Sequence, residues 1–267
     1  MNKSFASRLV AALATLLASS TSAVAAEIKV LSTIAFQSVF DTEIPAFNRS
    51  SGHKTSAEFG GGTAMATRIS NNEVVDVYFG ARQNIDALVA AGKVRADSVV
   101  DLARSPVGFA VKQGAPRPDV SAADTLKRTL LASRGITYPD PASGSPSANH
   151  LVRVAGQLGI ANELQARTRR LPGGGAAGPT MLITGEADLA FQQNCELLLT
   201  PGVELLGPLP TEFQLITIMS VAVPVTAREP EAAKAFIKYL QTPAAVAVMN
   251  RWGLEPIVAT ANASSAQ

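Results

Sequence analysis

The chain has 267 residues, 47% of them hydrophobic and 16% charged, enough apolar material for one large domain or two small lobes. Its formal charge of +2 comes from Lys3 and Arg8, because residues 1–26 hold no acid; the rest is formally neutral. A nucleic-acid surface is therefore not expected: there is no sustained basic stripe, zinc pattern or aromatic RNA motif.

Residues 1–26 read as a signal peptide. Lys3 and Arg8 supply a positive start, residues 9–18 an apolar run too short to span a bilayer, and Ala23-Val24-Ala25-Ala26 small residues for cleavage. No later apolar run is long enough to cross a membrane. Cys195 is the one cysteine, so no intramolecular disulfide is possible. An exported chain without disulfides reads as bacterial and periplasmic.

Residues 28–31 (Ile-Lys-Val-Leu) read as the first strand, followed by Ser32-Thr33. A helix over about 36–48 follows from the spacing of Phe36, Val39, Phe40, Ile44 and Phe47, with Pro45 expected to shorten or bend it. A second strand, 54–59, runs into Gly60-Gly61-Gly62-Thr63 and a helix over 64–70. Residues 74–79 form a near-continuous apolar run, as in a buried parallel strand; a helix over 83–91 closes at Gly92. A strand is expected at 106–111, a helix at 122–132 and a short strand at 135–138.

The loop from Pro139 to His150 is rich in Ser and Gly and opens a helical pattern over 151–158. Arg167, Arg169 and Arg170 alternate as on a short strand before Gly173-Gly174-Gly175. A helix over 177–184, a strand over 187–191 ending at Gln192-Gln193-Asn194, and strands over 203–206 and 214–223 follow. Pro230 and Thr242-Pro243 open two terminal helices, the second reaching Trp252. Strands alternating with helices predict an α/β fold with mainly parallel sheets flanked by helices.

Four loops share one design: Ser32-Thr33, residues 60–63, residues 142–147 and residues 173–175. Each follows a strand and leads toward a helix. On a parallel sheet such loops share one edge, where helix N-termini can meet one anion. Singly, each reads as a connector; together they read as a ligand site. The expected ligand-binding residues are Ser32, Thr33, Gly61, Gly62, Thr63, Arg82, Ser143, Gly144, Ser145, Gly174 and Gln193. Arg82 fits a carboxylate clamp or a solvated first-turn cation equally well. Arg167, Arg169 and Arg170 read as a solvated face, His53 as exposed, and Cys195, Tyr138 and Trp252 as packed. His150 is a weaker candidate for a ligand contact. Two distant histidines and one cysteine make no metal cluster, and no dinucleotide, phosphate-loop or nucleophile motif is present. No metal or cofactor is expected.

The order of these features resembles the periplasmic molybdate-binding protein family of extracellular solute-binding proteins. Ile28-Lys29-Val30-Leu31-Ser32, Phe59-Gly60-Gly61-Gly62-Thr63, Asp76-Val77, Asp140-Pro141-Ala142-Ser143-Gly144 and Thr242-Pro243-Ala244-Ala245 carry the resemblance. It implies a two-lobed type II periplasmic-binding-protein fold with a ligand cleft between the lobes. One lobe would comprise 27–105 and 225–261, the other 106–224, with a frayed tail at 262–267. It also implies a monomer that binds a small anionic ligand and serves the membrane permease of an ABC transporter. Two positions depart from the family. Ala35 stands where the family places a serine, and Gly60-Gly61-Gly62 replaces a serine run. Fewer hydroxyls fit an organic carboxylate at least as well as molybdate. Some proteins similar to this group are periplasmic aconitate isomerases, which need a base such as His150, Tyr138 or a cleft carboxylate. Binding ranks first and isomerisation second.

Overall fold

The computed structural model describes residues 25–141, 145–169 and 178–257. The expected signal peptide (save Ala25 and Ala26), Arg170, Ser143, Gly144, Gly174 and the 262–267 tail lie outside the described residues.

Strand β1 (Glu27–Thr33) runs through a short 3-10 turn (Ile34–Phe36) into helix α1 (Gln37–Ser51). Pro45 does not end this helix. It continues to Gly52, whose left-handed φ of 76° caps it and whose N–H reaches Asn48 O at 3.0 Å. Aromatic packing carries it past the proline. Phe36, Phe40 and Phe47 are buried against Phe79 and Phe236, with Phe40–Phe79 and Phe47–Phe236 centroids 4.8 and 5.0 Å apart. Burying Phe47 alone is worth about 2 kcal/mol.

β2 (Lys54–Gly60), α2 (Gly62–Ser70), β3 (Val77–Ala81) and α3 (Arg82–Ala90) complete the first half. β3 begins later than the apolar run suggests because Asp76 is otherwise committed. Its carboxylate accepts the backbone N–H of Lys29 (2.9 Å), Arg228 (2.8 Å) and Glu229 (2.9 Å). It thereby ties β1 to the start of α9 (Pro230–Tyr239).

β4 (Val100–Lys112) is far longer than the expected 106–111. Asp101, Arg104, Ser105 and Pro106 break its apolar pattern, and its ladder is irregular between Asp101 and Ala103. β9 (Ile216–Ala222) pairs with its first half, while β7 (Leu189–Gln193) and β8 (Val203–Leu205) pair with its second. Between them lie α4 (Ala123–Ala132), β5 (Ile136–Thr137), α5 (Pro146–Gln157), α6 (Ala161–Arg167), β6 (Thr168–Arg169), α7 (Thr180–Thr184) and α8 (Asn194–Leu197). Arg167 ends a helix instead of lying on the expected strand: Ile160 and Leu164, four apart, are both buried. α10 (Pro243–Arg251) and β10 (Glu255–Pro256) finish the described chain.

The sheet order is β2-β1-β3-β9-β4-β7-β5-β6, with β8 and β10 also on β4. β1 pairs in parallel with β2 and β3, and β5 with β6 and β7. Every antiparallel ladder among the described residues involves β4 or β9. Hydrophobic packing divides along the same line. One pair of clusters gathers α1, α2, α3, α9 and α10 around β1 and β3; another gathers α4–α8 around the end of β4, β5 and β7. Cys195 is an exception: it lies on α8 yet packs in the first core.

Candidate functional site

The strand directions create two facing edges. β3 is antiparallel to β9, β9 to β4, and β4 to β7. The parallel set β1–β3 therefore points toward the set β5–β7, which points back. Both C-terminal edges face a gap floored by β4 and β9. Ala81 ends β3 at the level of Met219 and Ala103, and Gln193 ends β7 opposite Val107. Four residues of β4 separate those levels, or about 13 Å.

Three strand ends meet on the first edge; Ser32 and Thr33, expected in a loop, are the last two residues of β1, and Gly60 is the last of β2. Ser32 pairs with Phe59 and Phe79, and Thr33 with Gly60. A Cβ placed on Gly62 would lie 3.6 Å from Asn84 Nδ2 and 3.7 Å from Thr33 Cγ2, joining β1, α2 and α3. Ser32 is fully buried and donates to its neighbour's carbonyl, Thr33 O, at 2.9 Å. Thr33 Oγ1 is buried without a hydrogen-bond partner. Gly61 and Thr63 are exposed. Gly61 has φ −63° and open space where a side chain would go. Neither turn geometry nor crowding demands glycine there, so its effect is to leave backbone N–H groups uncovered. Beneath these loops, burial pushes the Tyr78 phenol up to about 12, opposed by the nearby Asn84 amide. Its hydroxyl, too, lacks a well-formed hydrogen bond.

Arg82 opens α3 and is committed within the protein. It donates to Asp86 at 2.7 Å and Asp101 at 2.9 Å, while Ser220 Oγ reaches Asp101 at 2.5 Å. This half-exposed network braces α3 against the crossing strands.

On the second edge, Gln193 Oε1 accepts Ser105 Oγ–H at 2.6 Å, and Ser105 lies 3.3 Å from Cys195 Sγ. Burial pushes that thiol up to about 12, so Cys195 is a packed, un-ionised group, as expected. Ser145 occupies the N-cap position of α5 without a cap hydrogen bond and exchanges a 3.0 Å contact with Ser147. Thr137, at the end of β5, has a buried and unpartnered hydroxyl. His150 is locked: Phe213 O can only accept, so Nε2 donates to it at 2.7 Å, and Nδ1 accepts from Arg153 at 2.6 Å. Burial holds its pKa below the usual value, and both nitrogens are used. His53 accepts the Ala26 N–H at 3.1 Å, away from either edge.

Helices α2 and α3 begin at the first edge without a side-chain cap, and α5 lacks one too. Absence of a cap alone is not distinctive, since α6 lacks one as well. What α2 and α3 share is placement: both open where β2 and β3 end, so two sets of first-turn N–H groups lie on the first edge. α9 and α10 start elsewhere and are served by Asp76 and Thr242. Among the described residues no group of His, Cys, Asp and Glu could hold a metal ion, and no helix is long and apolar enough to cross a membrane.

Two concavities are present among the described residues. One of about 550 Å³ sits between α1 and Leu199, Thr200 and Trp252; the other, about 670 Å³, lies at the opposite end of β1 and β2. Of the expected loops, residues 142–147 fall partly and residues 173–175 wholly outside the described residues.

Glu196 escapes the sequence reading altogether. It stands in the first turn of α8, where its carboxylate accepts from Gln192 Nε2. Burial pushes it up to about 7, only partly offset by that hydrogen bond. One acid in the apolar run Cys195-Glu196-Leu197-Leu198-Leu199 is the signal that could have drawn notice.

The family profile described as bacterial extracellular solute-binding protein matches residues 28–255. A curated aconitate isomerase from Pseudomonas sp is 35% identical over 260 residues, covering 93% of this chain and 96% of that one. Among solved structures, the Azotobacter vinelandii periplasmic molybdate-binding protein has a TM-score of 0.68 at 18% identity, covering 87% of this chain and 99% of that one. The sulfate-binding protein SubI from Mycobacterium tuberculosis reaches 0.66 at 20%, with 87% of each chain covered. PEB3 with bound L-phospholactate reaches 0.64 at 13%, covering 85% and 99%. These structural likenesses establish the two-lobed fold of periplasmic binding proteins.

Proposed function

The chain belongs to the bacterial extracellular solute-binding protein family, and from that premise we propose that it captures a small organic anion, a di- or tricarboxylate, between its two lobes. The observation that carries this reading is the pair of facing edges with uncapped α2 and α3 and the unpartnered Thr33 hydroxyl. Neutral N–H donors and helix ends hold an anion without a formal counter-charge. The ligand set comprises Ser32, Thr33, Gly61, Gly62, Thr63, Ser143, Gly144, Ser145, Gly174 and Gln193. Arg82 joins it only by exchanging Asp101 for a ligand carboxylate. The lobes, 27–105 with 225–261 and 106–224, close on the ligand because it contacts both.

Thermal-shift screening tests the reading. Aconitate, citrate or a related acid should raise Tm in a saturable way. Stabilisation by molybdate or sulfate alone would make this an inorganic oxyanion binder, and no shift with any anion would remove the site. Export to the periplasm and delivery to an ABC-transporter permease belong to the same proposal. Recovery of the chain, uncleaved, in the cytoplasmic fraction would contradict them.

A second reading is favoured by the 35% identity to an aconitate isomerase across nearly the whole chain. Here the bound acid is isomerised as well as held. Incubation with cis-aconitate should yield the trans isomer; absence of product at high protein concentration returns the chain to pure binding.

A further inference from the structure

We propose that the Glu196 carboxyl is the proton carrier of this cleft, taking an allylic proton from a bound unsaturated polycarboxylate and returning it at the other end of the allyl unit. The inference rests on the isomerase reading above.

Position is the first argument. Glu196 lies three residues beyond Gln193, the end of β7, on the edge that faces β1–β3. α8 packs against β4, β7, β8 and the 3-10 turn that follows β1. Gly108 permits this seat: a Cβ there would lie 2.4 Å from Asn194 Oδ1, the first residue of α8. α8, which carries Glu196, therefore bridges the end of β7 and the turn that follows β1.

Its partners are the second argument. Gln192 Nε2 donates to Oε2, a neutral amide holding one oxygen. Among the described residues no Lys, Arg or His forms an ion pair with Glu196, and Oε1 has no hydrogen bond. The residue also keeps partial contact with solvent, which a group that meets a ligand requires. Burial supports the role by raising the carboxyl to about 7, where protonated and ionised forms are both populated.

The alternatives are occupied. Both nitrogens of His150 are bonded. Tyr138 is nearly buried and its hydroxyl accepts from Thr168. Asp101 accepts from Arg82 and Ser220. Asp188 accepts from Ser133 and from the backbone of Arg134 and Gly135.

The step balances without a co-reactant. A methylene C–H bond of aconitate breaks, its proton passes to the Glu196 carboxylate, and the electron pair spreads over the three-carbon unit. A C–H bond then forms at the former vinyl carbon with the proton Glu196 returns. The double bond has moved by one position, and either geometry can result. Nothing is oxidised or reduced. The N–H donors of the edges would meet charge growing on the substrate carboxylates.

The test uses the full chain with trans-aconitate, comparing wild type, E196Q and E196D. Readouts are isomer interconversion, solvent deuterium wash-in and calorimetric affinity. E196Q should lose about 10²–10⁴-fold in turnover, as for loss of a general base, and lose wash-in, with Kd within about threefold. E196D, which retains the carboxyl one methylene shorter, should recover part of both. Turnover by wild type with E196Q within tenfold of it overturns the role of Glu196 and leaves the isomerase reading standing. No turnover by wild type overturns that reading and this role with it. If E196Q fails to melt cooperatively, E196D decides: a rate equal to wild type overturns the proposal.

Discussion

Three side chains show how differently a polar group within the fold can be used. Asp76 is spent wholly on structure: three backbone N–H groups from two distant segments end on its carboxylate. Asp76→Ala should cost about 3 kcal/mol or more by leaving those donors unmet, read as a lowered denaturation midpoint. Thr33 is the opposite case, a buried hydroxyl that bonds nothing within the protein. Thr33→Val should leave Tm nearly unchanged yet weaken anion binding about tenfold, or about 1.4 kcal/mol. Unchanged affinity would remove Thr33 from the site.

Glu196 has a signature in stability. Its folded pKa, about 7, lies above the ordinary 4.5, so between those values the folded chain holds a proton the unfolded chain has released. That contribution is fully present below about pH 4.5 and is lost as pH rises through about 7. Relative to E196Q, the wild type should therefore lose Tm as pH rises from 5 to 8. A pH-independent difference would contradict the buried acid. The neighbouring Cys195 thiol stays neutral over this range and does not confound it. His150 runs the other way: its lowered pKa makes stability fall as pH drops below about 6.5. The E196Q comparison cancels that term.

At the scale of elements, the sequence reveals what periodicity can reveal. α1, α4, α9 and α10 stand out because their buried positions recur at helical spacing. β4 does not, because a strand crossing between two cores serves different neighbours along its length. Its first half carries Asp101 for Arg82, Arg104 for Glu255 and Ser105 for Gln193, and no alternation survives. α8 has four residues, too few for a period, and the burial of its acid is a tertiary property. The first edge was legible in part: Gly61 to Thr63 follow β2 as glycine and hydroxyl residues suggest, whereas Ser32 and Thr33 end β1 within its ladder with β2. That Thr33 is unpartnered while Ser32 is satisfied was not, since only packing decides it. The crossing strands also suggest a test of the brace: Arg82→Ala removes two half-exposed ion pairs. It should cost less than about 1 kcal/mol in a denaturant melt; a larger loss would mean that α3 depends on it.

On the scale of the whole molecule, two parallel sheets point at each other across strands that belong to both. That arrangement puts the C-terminal edges, where helix ends and loop donors collect, on either side of one gap. In the proposed function this gap holds an organic carboxylate anion. Calorimetric titration of the full chain with trans-aconitate, with molybdate and sulfate as comparisons, tests it most directly. Saturable one-site binding of aconitate is expected, weakened about tenfold in Thr33→Val, with much weaker binding of the inorganic anions. Tight molybdate or sulfate binding with no response to aconitate would contradict it.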